Sequence, residues 1–225
     1  YRPDGTLMAS AYNGVIWKLR DTDSDGLEDQ AEIFWDSKGD LKSPIGMDLT
    51  PPGYVHGDGV FVVAKTRCVL IVDTDKDGSA DKESVVADGW KESFHQVDGL
   101  GVAFDKRDGS VYFGRGTYNF ADPLLKNKEG VPQYKLTDES GAIIRVLPNF
   151  KTREIVATGI RFPVGLRFDR NGELFATDQE GATWVPNGNP LDELLHIQKG
   201  RHYGFPPRHP DHLPDVIDEP SLFDY

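Results

Sequence analysis

Short runs of apolar, β-branched and aromatic residues alternate with polar turns along almost the whole chain. Representative runs are Val15-Ile16-Trp17, Val69-Leu70-Ile71-Val72 and Val111-Tyr112-Phe113. Such runs are shorter than an ordinary amphipathic helix, and their residue types favour strands. One segment, 190–194, fits either a helical turn or the approach to a strand. The pattern therefore predicts an all-β protein.

Two elements repeat along the chain. A glycine stands at the start of a strand at Gly46, Gly99 and Gly165. A turn followed by a strand begins at Asp4-Gly5, Asp58-Gly59, Asp108-Gly109 and Asn171-Gly172. Four-stranded units that repeat at roughly 50 residues are typical of a β-propeller. The sequence therefore predicts about four antiparallel blades of a larger propeller, in one domain, with boundaries near 1–42, 43–94, 95–160 and 161–225.

Two Asp-rich segments of nine residues occupy equivalent places in the first two repeats. Both read Asp-Thr-Asp-x-Asp-Gly-x-x-Asp, starting at Asp21 and at Asp73. Alternate side chains of a tightly wound loop converge several oxygens on a hard cation, so the spacing favours calcium. The candidate ligands are Asp21, Asp23, Asp25, Asp29 and Glu32 in the first segment and Asp73, Asp75, Asp77 and Asp81 in the second.

The second Asp-rich segment has Ser84 where the first has Glu32. Strands flank both segments, so neither is a helix-loop-helix calcium site. The alternative is a pair of solvated hairpins without metal. Repulsion among several carboxylates a few ångströms apart favours a bound cation. Because calcium is plentiful outside the cytosol, weak calcium sites also favour a periplasmic or extracellular location.

Charge and missing motifs exclude several classes of function. The chain has 25 Lys and Arg against 37 Asp and Glu, a formal net charge of −12, which disfavours nucleic acid and anionic membranes as partners. No apolar run approaches the ~20 residues that span a bilayer. Because Cys68 is the single cysteine, the chain cannot form an internal disulfide or a cysteine-based zinc or haem motif. The nucleophile elbow of serine hydrolases, the P-loop and the His-Glu-x-x-His zinc pair are absent from the sequence.

A series of segments in the second half resembles a known family. In order, they are Phe94-His95, the run from Arg161 to Leu166, Asp192-Glu193-Leu194, and the run from Tyr203 to Pro206. Together they resemble the glucose/sorbosone dehydrogenase family, the soluble quinoprotein aldose dehydrogenases. The resemblance implies a six-bladed propeller that binds pyrroloquinoline quinone and calcium. It is strongest to membrane-bound or secreted dehydrogenases that carry Asp-x-Asp-x-Asp-Gly hairpins and a downstream c-type haem domain as electron acceptor.

The resemblance also implies roles for three residues. His95 corresponds to the general base that takes the proton of a sugar hydroxyl. Arg161 corresponds to the arginine that stabilises anionic oxygens of the cofactor, and Asp178 is a further candidate cofactor contact. Both chemistries suit the residue types, because histidine titrates near neutral pH and guanidinium is a permanent cation.

The sequence departs from the family pattern next to these residues. Phe162 and Val164 are apolar where the quinone enzymes usually have polar cofactor contacts, and Thr117 stands where an acidic residue often follows the glycine. Two hypotheses therefore remain open. The first is an oxidoreductase acting on a sugar or polyol with a quinone-like cofactor. The second is a non-catalytic, calcium-stabilised propeller that binds carbohydrate or a protein.

Overall fold

The computed structural model describes residues 1–93, 98–119, 125–179 and 191–205. Within these ranges the regular elements are 14 β-strands in four antiparallel sheets, which confirms the all-β prediction. The same residues contain no helix with the length and hydrophobicity that a membrane crossing requires.

The sheets follow one another along the chain, and in each of them consecutive strands pair. Sheet 1 contains β1 (Leu7–Ser10), β2 (Val15–Arg20) and β3 (Gln30–Asp36). Sheet 2 contains β4 (Gly46–Leu49), β5 (Asp58–Ala64), β6 (Arg67–Asp73) and β7 (Lys82–Asp88). Sheet 3 contains β8 (Gly99–Phe104), β9 (Val111–Arg115), β10 (Ala142–Val146) and β11 (Arg153–Thr158). Sheet 4 contains β12 (Pro163–Phe168), β13 (Leu174–Asp178) and β14 (Glu193–Ile197).

The sequence repeats show which strands are equivalent. The strands β1, β9 and β13 follow the repeated Asp-Gly or Asn-Gly pair, and β5 begins with it, so β1 corresponds to the second strand of a blade. Sheets 2 and 3 contain all four strands of a blade. The described part of sheet 1 corresponds to strands two to four, and that of sheet 4 to strands one to three.

Glycines let the first strands of neighbouring blades pack closely together. A Cβ atom on Gly46 would lie 1.9 Å from the backbone oxygen of Leu100. A Cβ atom on Gly101 would lie 2.8 Å from the Cβ of Leu166. These contacts join β4 to β8 and β8 to β12 at the same ends of the strands, so the three inner strands run side by side in one direction. At Gly46, one of the recurring glycines, this close approach requires a residue without a side chain.

The hydrophobic core lies in the seams between neighbouring sheets, as expected where each sheet buries its two faces against its neighbours. Between sheets 2 and 3, the rings of Phe61 and Phe104 stack with their centres 5.3 Å apart. Large buried members of the three seams are Ile16, Phe34, Leu41, Val62 and Ile71 between sheets 1 and 2; Leu70, Phe113 and Ile144 between sheets 2 and 3; and Ile143, Ile160, Leu166 and Leu195 between sheets 3 and 4.

The connections lie on two opposite faces because the strands of each sheet alternate in direction. The turn face carries the connections from first to second strands and from third to fourth strands, including both Asp-rich loops. The linker face carries the connections between the second and third strands. It also carries the linkers between sheets, of which the described parts are residues 37–45, 89–93 and 159–162, with Asp98 directly before β8.

Candidate functional site

Arg161 lies on the linker face, just before β12, and its surroundings fix it from several sides. The residue is only 4% exposed. Its Nη1 donates to the backbone oxygen of Gln179 at 2.7 Å. Its guanidinium carbon lies 4.8 Å from the centre of the Phe162 ring. The Arg161 backbone oxygen accepts a hydrogen bond from the Thr117 amide at 2.9 Å, which ties this linker to sheet 3.

Asp178 ends β13 directly beside Arg161. Its carboxylate accepts hydrogen bonds from the backbone N–H groups of Arg161, at 2.9 Å, and of Phe162, at 2.6 Å. The residue is 2% exposed. A buried carboxylate is costly unless it is hydrogen-bonded, and charge-assisted bonds of this kind are among the strongest. The structure therefore brings Asp178 and Arg161 together through the backbone of the linker.

His95 lies in the segment 94–97, outside the described residues, but both ends of that segment are described. The Ser93 amide donates to Oδ2 of Asp98 at 3.1 Å, and the Thr66 amide donates to Oδ1 of Asp98 at 3.0 Å. Asp98 is fully buried. The residues on either side of the segment thus meet on the linker face and are held by one carboxylate.

Arg115 is a buried charge on the linker face that the sequence reasoning missed. It ends β9 and is 2% exposed. Among the described residues, its guanidinium makes two long contacts, 3.4 Å each, to the backbone oxygens of Asp138 and Lys91, and lies 5.2 Å from the Trp90 ring centre. Its Nε has no hydrogen-bond partner in the part of the chain that is described. A signal was available, because the arginine ends the otherwise uncharged strand Val111–Arg115.

The electrostatics of the linker face follow from burial. Desolvation lowers the pKa of the Arg115 guanidinium, and the negative charge of Asp98 opposes that shift. Glu193 pairs in register with Asp178, and desolvation, followed by the charge of Asp178, raises the pKa of its carboxyl group. Burial and neighbouring charges therefore act on both a guanidinium and a carboxyl group of this face.

The two Asp-rich loops lie on the turn face, away from Arg161. In each loop the first three aspartates bring one carboxylate oxygen apiece to within 4.8 Å of one another. These groups are Asp21, Asp23 and Asp25 in the first loop and Asp73, Asp75 and Asp77 in the second. Three converging carboxylates form a donor set that suits calcium.

The remaining candidate ligands make other contacts in the structure. Asp29 accepts hydrogen bonds from the amide and hydroxyl of Thr22, at 3.0 and 2.7 Å, and Asp81 does the same with Thr74, at 3.1 and 2.6 Å. Glu32 lies on β3, where it pairs with the Lys18 ammonium group at 3.1 Å. The structure therefore gathers the first three aspartates of each loop and ties the later acidic residues to neighbouring groups.

A cavity of about 710 Å³ opens on the turn face, away from Arg161 and Asp178. It lies where the inner strands end, beside Asp48 and Phe104. Two of its cations are already paired, because Arg107 binds Asp105 at 2.8 Å and Arg167 binds Asp48 at 2.9 Å. Asp178 and the buried arginines Arg161 and Arg115 are on the linker face, so we locate the candidate cofactor site there.

This arrangement of blades is shared with sugar dehydrogenases of known structure. The oxidoreductase described as a glucose dehydrogenase from Thermus thermophilus is similar at a TM-score of 0.65 and 22% identity, over 92% of this chain and 63% of that one. The PQQ-bound aldose sugar dehydrogenase of Streptomyces coelicolor is similar at 0.68 and 20% identity, over 92% and 61%. The family AA12 carbohydrate-active enzyme of Trichoderma reesei gives 0.70 and 14%, over 92% and 54%. At these identities the likeness establishes a propeller-type fold. The chain spans about three fifths of the length of the first two proteins.

The sequence also defines the particular family. The chain belongs to the family described as domain of unknown function (DUF7133), which it matches over residues 3–215. A comparison with curated protein sequences gives no match.

Proposed function

We propose that this chain is part of a quinone-dependent oxidoreductase that acts on a sugar or polyol. The observation that carries the proposal is the pair of buried guanidinium groups, Arg161 and Arg115, on the linker face of a propeller whose fold is shared with a PQQ-bound sugar dehydrogenase. A sugar or polyol offers hydroxyl groups that can lose a proton while the carbon that bears the hydroxyl loses a hydride, which suits a site with a base and an electron-accepting cofactor.

The linker face fits an anionic cofactor. Arg161 and Arg115 are fixed cations, and guanidinium matches carboxylate and quinone oxygens. The Nε of Arg115 still has a hydrogen to donate, since it has no partner among the described residues. Pyrroloquinoline quinone bound here supplies an electron-deficient quinone that accepts hydride.

In this proposal His95 takes the proton from the substrate hydroxyl, and Arg161 holds negative charge on the cofactor. Phe162 and Val164 limit the polar contacts beside Arg161 and help to exclude water. A c-type haem domain would be a suitable electron acceptor for such an enzyme.

Titration of the protein with pyrroloquinoline quinone tests the proposal directly. We expect saturable binding, followed by a change in quinone absorbance when an aldose is added.

His95→Ala should lower turnover by about 10² to 10⁴ while quinone binding persists, as for loss of a general base. Arg161→Ala should raise the quinone Kd more than it lowers turnover at saturation. Saturable binding without reduction by any aldose or polyol would contradict catalysis.

We further propose that calcium binds the Asp-rich loops and stabilises the fold. Ligands that bind only the folded state raise the melting temperature by mass action. We therefore expect calcium to raise Tm and a chelator to reverse the rise. Asp23→Asn and Asp75→Asn should each remove part of the increase, and the first loop is expected to bind more tightly. An unchanged Tm in chelator would contradict metal binding. Calcium-filled loops would also support a periplasmic or extracellular location.

The alternative function is a non-catalytic propeller that binds carbohydrate or a protein. The observation that favours it is the apolar surface next to Arg161, where Val164 is 44% exposed. Binding of sugars by a protein that takes up no quinone would select this alternative.

A further inference from the structure

The linker that carries Arg161 has its backbone polar groups satisfied by neighbouring elements. The Ile160 amide donates to the Gly141 oxygen at 3.1 Å, and the Phe162 oxygen accepts from the Gln179 amide at 3.2 Å. The Asp178 carboxylate accepts hydrogen bonds from the amides of Arg161 and Phe162. One buried side chain therefore fixes the backbone on both sides of the Arg161 carbonyl.

The residue after Asp178, Gln179, holds the guanidinium end of Arg161. The backbone oxygen of Gln179 accepts the Nη1 hydrogen bond from Arg161 at 2.7 Å. Asp178 and Gln179 together thus hold Arg161 at its amide and at its guanidinium. A shift at the end of β13 would move both contacts at once.

We propose that Asp178 is a positioning residue, which holds the Arg161 backbone and so directs its guanidinium, rather than a residue that contacts the cofactor. The proposal rests on the proposed function, in which Arg161 contacts the quinone. The 2% exposure of Asp178 and its two short bonds to amides support this role. A carboxylate has two acceptor oxygens, one for each of the adjacent amides, whereas a neutral asparagine side chain has one acceptor oxygen.

The neighbouring blades show that such a linker can be held in different ways. Asp98, fully buried, accepts amides from Ser93 and Thr66 beside the segment that contains His95. The linker between sheets 1 and 2 carries no candidate residue, and there the Ser37 hydroxyl accepts the Leu41 amide at 3.1 Å. A neutral group serves in that linker, so a buried carboxylate is not needed in every linker of this fold. Asp178 bonds to the linker that contains the candidate residue Arg161, and Asp98 directly follows the segment that contains His95.

The test is Asp178→Asn, which preserves size and removes one acceptor. In the cofactor-free protein, amide hydrogen exchange should accelerate at Arg161 and Phe162 relative to other protected amides of β12 and β13. Titration with pyrroloquinoline quinone should then show a Kd raised about tenfold, with a larger rise for Arg161→Ala. Asp105→Asn is the matched control. Asp105 is also buried and accepts an amide, that of Arg107 at 2.9 Å, but it lies on the turn face.

The outcomes separate this inference from the proposed function. If Arg161→Ala weakens quinone binding but Asp178→Asn changes the Kd no more than Asp105→Asn does, the positioning role is wrong. Unchanged exchange at the two amides also overturns it. If the native protein binds no quinone, the proposed function fails, and amide exchange still decides whether Asp178 holds Arg161. Should Asp178→Asn not fold, Asp178→Glu moves both oxygens by one methylene and gives the same readouts with a smaller expected change.

Discussion

The two Asp-rich loops have the same internal structure but different surroundings. In each, the first aspartate accepts the amides three and five residues later. Asp21 accepts Ser24 and Gly26 at 2.6 and 2.9 Å, and Asp73 accepts Lys76 and Gly78 at 2.7 and 2.8 Å. The motif therefore determines its own local hydrogen bonds wherever it occurs in the propeller.

The surroundings differ because the second loop packs against sheet 1. The Ala80 amide donates to the Phe34 oxygen at 2.7 Å, and the Lys18 ammonium group donates to the Gly78 oxygen. The first loop contacts Tyr1, whose hydroxyl donates to Glu28 at 2.7 Å, while Leu27 is 70% exposed. Local sequence thus shapes the loop, whereas the contacts with a neighbouring blade differ between the two loops.

Among the substitutions that test this difference between the loops, replacement of Lys18 has the largest expected effect on the free energy of unfolding. Its side chain is 7% exposed and joins Glu32 of sheet 1 to Gly78 of the second loop. Lys18→Met should leave the Gly78 carbonyl without its partner and lower the free energy of unfolding by about 2 kcal/mol. Glu32 is 42% exposed, so solvent screens the ion pair and the pair itself contributes less.

Urea unfolding measures the Lys18 effect, with Lys38→Met as control. Lys38 also pairs with an aspartate, Asp36, but its side chain is 84% exposed, so its loss should cost under ~0.5 kcal/mol. Equal destabilisation by both variants would show that docking of the second loop contributes little.

The fold could be predicted from the sequence because its signals are local and repeated. Strand composition, turn glycines and the Asp motif all recur at one spacing, and the structure has the expected sheets. The boundaries between turns and strands were predicted less accurately than the strands themselves. Asp58 and Gly59 resemble a turn, but they lie inside β5, and the preceding turn has its positive φ at Gly57. Segment 190–194, left open between helix and strand, leads into β14 at Glu193.

The candidate site was harder to predict because its contacts join distant parts of the chain. The sequence suggests Arg161 and Asp178 as separate cofactor contacts, but it does not indicate that Asp178 bonds to the Arg161 backbone. Arg115 is buried and packs against Trp90, which lies between sheets 2 and 3, and no local pattern predicts that packing. Lys18 likewise has no motif, since its partner Gly78 belongs to the next blade.

An intermediate effect is expected at the glycines of the two loops. Gly26 and Gly78 have φ values of 92° and 93°, so alanine at either position should cost about 1 kcal/mol. A Cβ atom at Gly26 meets nothing within 4 Å, whereas one at Gly78 would lie 3.1 Å from Lys18 Nζ. We therefore expect Gly78→Ala to be more destabilising than Gly26→Ala in chemical unfolding.

A double-mutant cycle identifies the source of that difference. In a Lys18→Met background the two glycine variants should cost the same, because the additional contact is gone. A difference that persists would assign the excess to the backbone of the second loop and not to its contact with sheet 1.

The smallest expected effect concerns acid sensitivity of the second loop. The Thr74 hydroxyl, followed by smaller contributions that include the Thr74 amide, lowers the pKa of Asp81 from its usual 3.8. A lowered folded-state pKa contributes stability that is present above the unfolded value and is lost as pH falls through the folded value. Thr74→Val should therefore raise the Asp81 pKa toward its usual value. It should also make stability less dependent on pH below about pH 5, where ordinary carboxyl groups begin to protonate.

Carboxyl chemical shifts followed by NMR in chelator measure the Asp81 pKa. Asp21 is the internal reference, because its lowered pKa depends first on the Gly26 amide and should not move. An unchanged Asp81 titration would show that the hydroxyl bond does not hold this carboxylate in solution.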